Sequence, residues 1–156
     1  MTKKYDLYAI GNALMDMEHE VTDDFFKAQG IDKGLMTLVD EERQNALLKA
    51  LSGKLKKQQC GGSAANSIIA NAQFGGKGFY SCKVANDPIG ELYYQDMLDN
   101  GIESNLSTTA REDGVTGKCL VLITPDAERT MNTYLGVSSS LSVSEIVPEA
   151  IAQSKY

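Results

Sequence analysis

Residues Ser63 to Phe74 read as a helix that carries almost only small and aliphatic side chains: Ala64, Ala65, Ile68, Ile69, Ala70 and Ala72. A helix so slim and apolar packs closely against a sheet, and the flanking sequence supplies one. Upstream, Leu7, Tyr8, Ala9 and Ile10 form a buried-strand run within Tyr5 to Gly11, ended by Gly-Asn punctuation; downstream, Phe79 to Val84 is a second run. Gly75-Gly76 stops the small helix, and Asp87-Pro88 starts another, cap then proline, that runs to Asn100 and stops at Gly101. Strands alternating with helices predict an α/β fold with a mostly parallel sheet.

Two segments break the alternation. Between about Glu18 and Val39, Thr22 caps a short helix from Asp23 to Gln29, Gly30 stops it, and Leu35 to Val39 is strand-like. Asp40 then caps a periodic helix from Glu41 to about Leu51, with Leu47, Leu48 and Leu51 on one face. From about Val115 to Leu135 a strong strand (Lys118 to Thr124), a Pro125-Asp126 turn and a returning strand (Arg129 to Leu135) make a hairpin. Both segments read as short β pieces outside the main sheet. Ser144 is expected to cap a last helix from Glu145 to about Ser154.

At 156 residues the chain is one domain or part of one. Its net charge of −6 repels polyanions. Lys54-Leu55-Lys56-Lys57 is the densest basic stretch and is expected at a helix end, where cations are favoured, so no nucleic-acid partner is expected. Cys60, Cys82 and Cys119 are odd in number and far apart, and His19 is the single histidine. That pattern argues against a disulfide framework and a zinc site, and a reducing, cytoplasmic compartment fits it. Lys3 and Lys4 imitate the start of a signal peptide, but Asp6, Asn12 and Asp16 break the apolar run, and no membrane partner is expected.

The chain has no G-x-x-x-x-G-K-[ST] phosphate loop; Gly75-Gly76-Lys77-Gly78 has the wrong spacing and follows a helix instead of opening one. Three short segments carry chemistry. In Cys60-Gly61-Gly62-Ser63-Ala64-Ala65-Asn66, two glycines at a helix start let backbone N–H groups approach a ligand, and the Asn66 amide suits sugar hydroxyls. A tight turn with a polar helix-face residue explains the same letters. Gly11-Asn12-x-x-x-Asp16 follows the first strand, where ligands of open α/β sheets gather and a carboxylate can take two hydrogen bonds from a vicinal diol; a capping aspartate is the plainer account. In Pro125 to Thr130 a solvated hairpin tip competes with a phosphoryl-binding role for Arg129.

Taken in order, these segments resemble the ribokinase/PfkB family of carbohydrate and nucleoside kinases. The matching pieces are Gly11-Asn12-x-x-x-Asp16; Gly61-Gly62-Ser63-Ala64-Ala65-Asn66-Ser67 with Gly75-Gly76 and Gly78 downstream; Val84-Ala85-Asn86-Asp87-x-x-Gly90 with Asn100-Gly101-Ile102; and Thr116-Gly117 with Glu128-Arg129-Thr130. The resemblance implies a Rossmann-like three-layer α/β fold with a small β-sheet lid, incomplete in this chain, the lid pieces lying at about 17–39 and 115–135. It implies transfer of the ATP γ-phosphate to a hydroxymethyl group, with Mg²⁺. Carried over by position, Asp16, the Gly61-Gly62 backbone and Asn66 would bind substrate hydroxyls. Asn12 and Ser63 would line the same pocket, and Met36, Leu38, Thr133 and Leu135 would face substrate from the lid. Arg129 would reach toward the transferring phosphate.

Thr116-Gly117-Lys118-Cys119 and Glu128-Arg129-Thr130 look most like the adenosine-kinase branch, with a base stacking on Met36, Leu38, Met131 and Leu135. A ribokinase- or fructokinase-type sugar kinase and a non-catalytic binding module are the alternatives; an unrelated α/β nucleotide binder is the weakest. The family's Gly-Ala-Gly-Asp-type segment, which supplies its catalytic base and anion hole, is not found, and the ATP site lies in that half too. The chain thus reads as truncated, with Tyr156 where a core strand should begin. A parallel sheet cut there leaves an apolar edge, so an oligomer driven by that edge, or a homodimer through the lid, is expected.

Overall fold

The computed structural model describes residues 3–156. In chain order the elements are β1 (Leu7–Ile10), β2 (Leu14–Glu20), α1 (Asp23–Gln29), β3 (Met36–Leu38), α2 (Glu41–Ala50), β4 (Leu55–Gly61), α3 (Ser63–Gln73), β5 (Gly78–Ser81), α4 (Pro88–Asp99), β6 (Glu103–Ser104), β7 (Thr116–Ile123), β8 (Arg129–Gly136) and α5 (Pro148–Ala152). They form two sheets. A parallel sheet has the order β1-β5-β6, and a mixed sheet has the order β3-β8-β7-β2-β4. The α/β character expected from the alternation holds in the first sheet. The two segments that break the alternation are not short pieces at the margin: β3, β7 and β8 join β2 and β4 in the second sheet, which with five strands is the larger of the two.

Local signals start the helices. Thr22 accepts from the Phe25 amide and Asp40 from the Arg43 amide at 2.8 Å, each satisfying a donor that a helix start leaves open. Asp87 accepts from the Gly90 amide at 2.7 Å and also from the Thr116 amide and hydroxyl at 2.9 and 2.6 Å. One carboxylate therefore caps α4 and pins the first residue of β7, tying the two layers together. Burial pushes its pKa up, but these hydrogen bonds outweigh that and leave it below the usual range.

The small helix α3 buries Ala65 and Ile68 in a core shared with Tyr80, Tyr93 and Met97. A second core, Val21, Phe26, Leu47, Leu51, Leu120 and Leu122, fills the space between the mixed sheet and α1 and α2. All three cysteines are buried and unbridged. Among the described residues no helix is long and apolar enough to cross a membrane.

Three expectations change. Lys54-Leu55-Lys56-Lys57 does not end a helix: Leu51 ends α2, and Lys56 and Lys57 lie in β4 at the edge of the mixed sheet. Charged side chains on an edge strand discourage further pairing, which gives these lysines a structural role. The last helix does not begin at Glu145. Ser142 and Glu145 form a capping box around a single 3₁₀ turn, Val143–Glu145, and α5 waits for Pro148 because the residue before a proline avoids helical backbone; Val147 has φ −113° and ψ 93°. Finally, the mixed sheet begins at Leu14, so Asp16 sits inside a strand and not in the loop after β1. Past α5, Ser154 bridges Tyr5 and the Tyr156 carbonyl accepts from the Tyr8 amide at 2.8 Å, so the segment runs along β1.

Candidate functional site

Register across the mixed sheet places Gln59, Asp16, Cys119, Thr133 and Leu38 in one row over all five strands. Residues in one row share a face, and residues two positions along a strand share it too. Leu14, Met131, Met36 and Leu135 therefore join the row on the face turned away from α1 and α2. This face walls a cleft of about 550 Å³. Its polar floor is Asn12, Asp16, Gly62, Ser63 and Asn66, and its apolar wall is Leu14, Met36, Leu38, Met131 and Leu135 with Cys119 and Thr133 between.

Asp16 is the chemical centre of the floor. Among the described residues its carboxylate makes no hydrogen bond and no ion pair. Burial, with help from the Glu18 carboxylate, pushes its pKa up to about 6, while Arg129 pulls the other way. A part-buried carboxylate short of donors is suited to take them from a ligand. Two glycines make its position available. A Cβ on Gly61 would fall 2.2 Å from the Asp16 carboxylate, which lies over the bare backbone. Gly62 has φ 100°, a conformation that side chains resist, and a Cβ there would meet the Asn12 carbonyl at 2.4 Å. β4 turns directly into α3 through this pair, and the α3 start has no side-chain cap, so its first amides are open to the cleft at Ser63.

The cleft brings together Asn12, Asp16, Met36, Leu38, Gly62, Ser63, Asn66, Thr133 and Leu135. Gly61 is buried beneath Asp16 and does not line the wall. Arg129 does not line the cleft: it is exposed at the far end of β8, opposite Ile123, on the same face as Met131 and Thr133, and reaches Asp16 only through its charge. Leu14 and Cys119 line the cleft without having been singled out. Counting by two from Asp16 reaches Leu14, but Cys119 lies in an unbroken apolar run that gives no face. Burial pushes the Cys119 thiol up to about 11, against the pull of Thr133, so it meets the cleft as a neutral, weakly polar surface. Among the described residues no three His, Cys, Asp or Glu side chains converge to hold a metal ion.

The model of the family described as pfkB family carbohydrate kinase matches residues 36–156. The chain belongs to the pfkB family. Solved structures agree with the fold. A probable sugar kinase from Rhizobium etli superposes with a TM-score of 0.89 at 30% identity, covering 99% of this chain and 46% of that one. Adenosine kinase from Sinorhizobium meliloti gives 0.87 at 36% identity, over 97% and 46%. A curated relative, mouse ribokinase, is 26% identical over 86 residues, 55% of this chain and 26% of its own length. The chain thus spans less than half of each relative, and the family fold is present here in part. The mixed sheet carries most of the cleft wall of this pfkB member, and the β4–α3 junction carries its floor.

Proposed function

We propose that the cleft holds the nucleoside acceptor of an adenosine-kinase-like phosphotransferase. The observation that carries this is the pairing of an Asp16 carboxylate without a partner among the described residues, fitted over Gly61, with a broad sulfur- and aliphatic-lined wall. The carboxylate suits a vicinal diol, and Met36, Leu38, Met131 and Leu135 suit the flat face of a base. The 36% identity to an adenosine kinase supports the same reading. In it Asp16, the Gly62 amide and Asn66 grip the ribose, Asn12 and Ser63 complete the floor, and the hydroxymethyl group points out of the cleft.

ATP would supply the phosphoryl group and Mg²⁺ would offset its charge. Among the described residues no cluster of His, Cys, Asp or Glu is placed to hold the ion. The binding of ATP and Mg²⁺, and the general base, belong in this proposal to the portion of the family fold beyond the part shared with this chain. A sugar-kinase reading draws support from the 30% identity to a probable sugar kinase, and a bare sugar would leave the apolar wall without a partner.

An activity panel of adenosine, inosine, guanosine, ribose and fructose with ATP, run on the full-length protein, separates the readings. The expected result is preference for a nucleoside, with adenosine first. Preference for ribose or fructose would overturn it in favour of a sugar kinase. Binding of adenosine with no turnover would replace it with a binding module.

A further inference from the structure

Behind the floor of the cleft lie two tyrosines that the acceptor site does not touch. Tyr80, on β5, and Tyr93, on α4, are fully buried at 0% exposure. The Tyr80 hydroxyl donates to the Asn12 carbonyl at 3.2 Å, and the Tyr93 hydroxyl donates to the Gly61 carbonyl at 3.1 Å. These carbonyls belong to the two segments that supply the floor, and the segments touch: the Asn12 carbonyl occupies the place where a side chain on Gly62 would be. α4 holds the end of β4 at two further points, with Asp96 accepting from the Cys60 amide at 2.5 Å and the Cys60 thiol donating to the Tyr93 carbonyl at 3.2 Å. Burial pushes both phenols up, so they remain donors at any working pH.

Peptide planarity turns this into function. In a trans peptide the C=O and the following N–H point in opposite directions. A Gly61 carbonyl drawn into the core by Tyr93 turns the Gly62 amide outward, at a residue that lines the cleft. Tyr80 likewise fixes the peptide after Asn12. Gly62 has no side chain to resist peptide rotation, so the direction of its amide depends on what holds the carbonyl.

We propose that Tyr80 and Tyr93 are positioning residues of the acceptor site, their hydroxyls setting the Asn12–Ala13 and Gly61–Gly62 peptides so that the Gly62 amide meets a ribose hydroxyl beside Asp16. This rests on the nucleoside reading above. The test measures kcat and KM of the full-length protein for adenosine, 2′-deoxyadenosine and 3′-deoxyadenosine in the parent, Tyr93→Phe, Tyr80→Phe and Asp16→Asn. Losing the hydrogen bond that orients the amide should lower adenosine kcat/KM about tenfold in Tyr93→Phe, mainly through KM. The penalty should shrink to about twofold for whichever deoxy analogue lacks the hydroxyl that the amide meets. An equal loss on all three substrates means a merely structural tyrosine and overturns the proposal. Should Tyr93→Phe not fold, Tyr80→Phe carries the same comparison with the same two outcomes. Adenosine kinetics unchanged in Asp16→Asn would instead remove the acceptor site itself, which separates the failure of that reading from the failure of this one.

Discussion

The two faces of the mixed sheet are made from the same strands and do opposite work. On the back, Val21, Leu120 and Leu122 meet Phe26, Leu47 and Leu51, and the apolar surface is used up in packing. On the front, Met36 and Leu38 are 57% and 60% exposed, and the Asp16 carboxylate has no partner among the described residues. Period-two alternation produced both: Met15, Met17, His19 and Val21 point one way along β2 while Leu14, Asp16, Glu18 and Glu20 point the other. The back spends its side chains on stability. The front holds apolar area and an unshielded charge in reserve, which is costly for folding and useful for binding.

The largest test of that division is on the back. Leu47 is fully buried, and Leu47→Ala should cost about 2–5 kcal/mol of stability through lost contacts and a residual cavity. Denaturant unfolding measures it; a cost under 1 kcal/mol would mean that α2 is not a packed layer. Adenosine KM, measured well below the unfolding midpoint, should stay within about twofold of the parent, because Leu47 is absent from the cleft.

Asp16→Asn should show the reverse signature. Losing a charged acceptor for two hydroxyls should lower kcat/KM about 100-fold or more. The same change should stabilise the protein at pH 7. The folded-state pKa, about 6, lies above the ordinary 3.8, so ionisation opposes folding; the gain is on the order of 1 kcal/mol after allowing for solvent screening at a part-exposed group. A variant both inactive and less stable would contradict the assignment of Asp16 to a functional face.

Leu38→Ala gives a smaller effect. With the side chain mostly exposed, stability should move by about 0.5 kcal/mol or less, while adenosine KM rises about threefold to tenfold from lost contact with the base. Ribose kinetics serve as the internal control, because a sugar without a base has nothing to lose there.

How much of this was legible in the sequence depends on how local each signal is. Thr22, Asp40 and Asp87 announced their helices because a cap is a contact between neighbours in the chain. The glycine pair and Asp16 were legible as an ordered set of short motifs. Sheet faces were not. Asp16 was expected after a strand and lies within one, since two methionines and a histidine alternating with acids make a weak apolar signal in β2. Cys119 could be assigned to the front only once its register with Asp16 and Thr133 was known. Lys56 and Lys57 were misplaced because lysine suits both a helix end and a sheet edge, and only the pairing of β4 with β2 decides between them. The start of the last helix is legible in Pro148, whose effect on Val147 outweighs the capping tendency of Ser144.

The most delicate contrast is in how the two faces respond to acid. His19 projects to the back of β2, is 3% exposed, and has no hydrogen-bond partner on either ring nitrogen among the described residues. Burial holds its pKa below the usual 6.5. Its stability contribution is present above pH 6.5 and is lost as pH falls toward the lowered folded value, because the unfolded chain takes up the proton first. Asp16 runs the other way: stability rises as pH falls from 6 toward 3.8 while the carboxylate proposed to meet the ribose loses its charge. Between pH 6.5 and 4 the two contributions oppose each other. Unfolding midpoints across that range should show a shallow dependence in the parent. In His19→Leu stability should rise steadily toward acid, and in Asp16→Asn it should fall. Parallel curves for the two variants would mean that the faces are not electrostatically distinct, and that adenosine binding, which should weaken below pH 6 in both the parent and His19→Leu, is controlled from elsewhere.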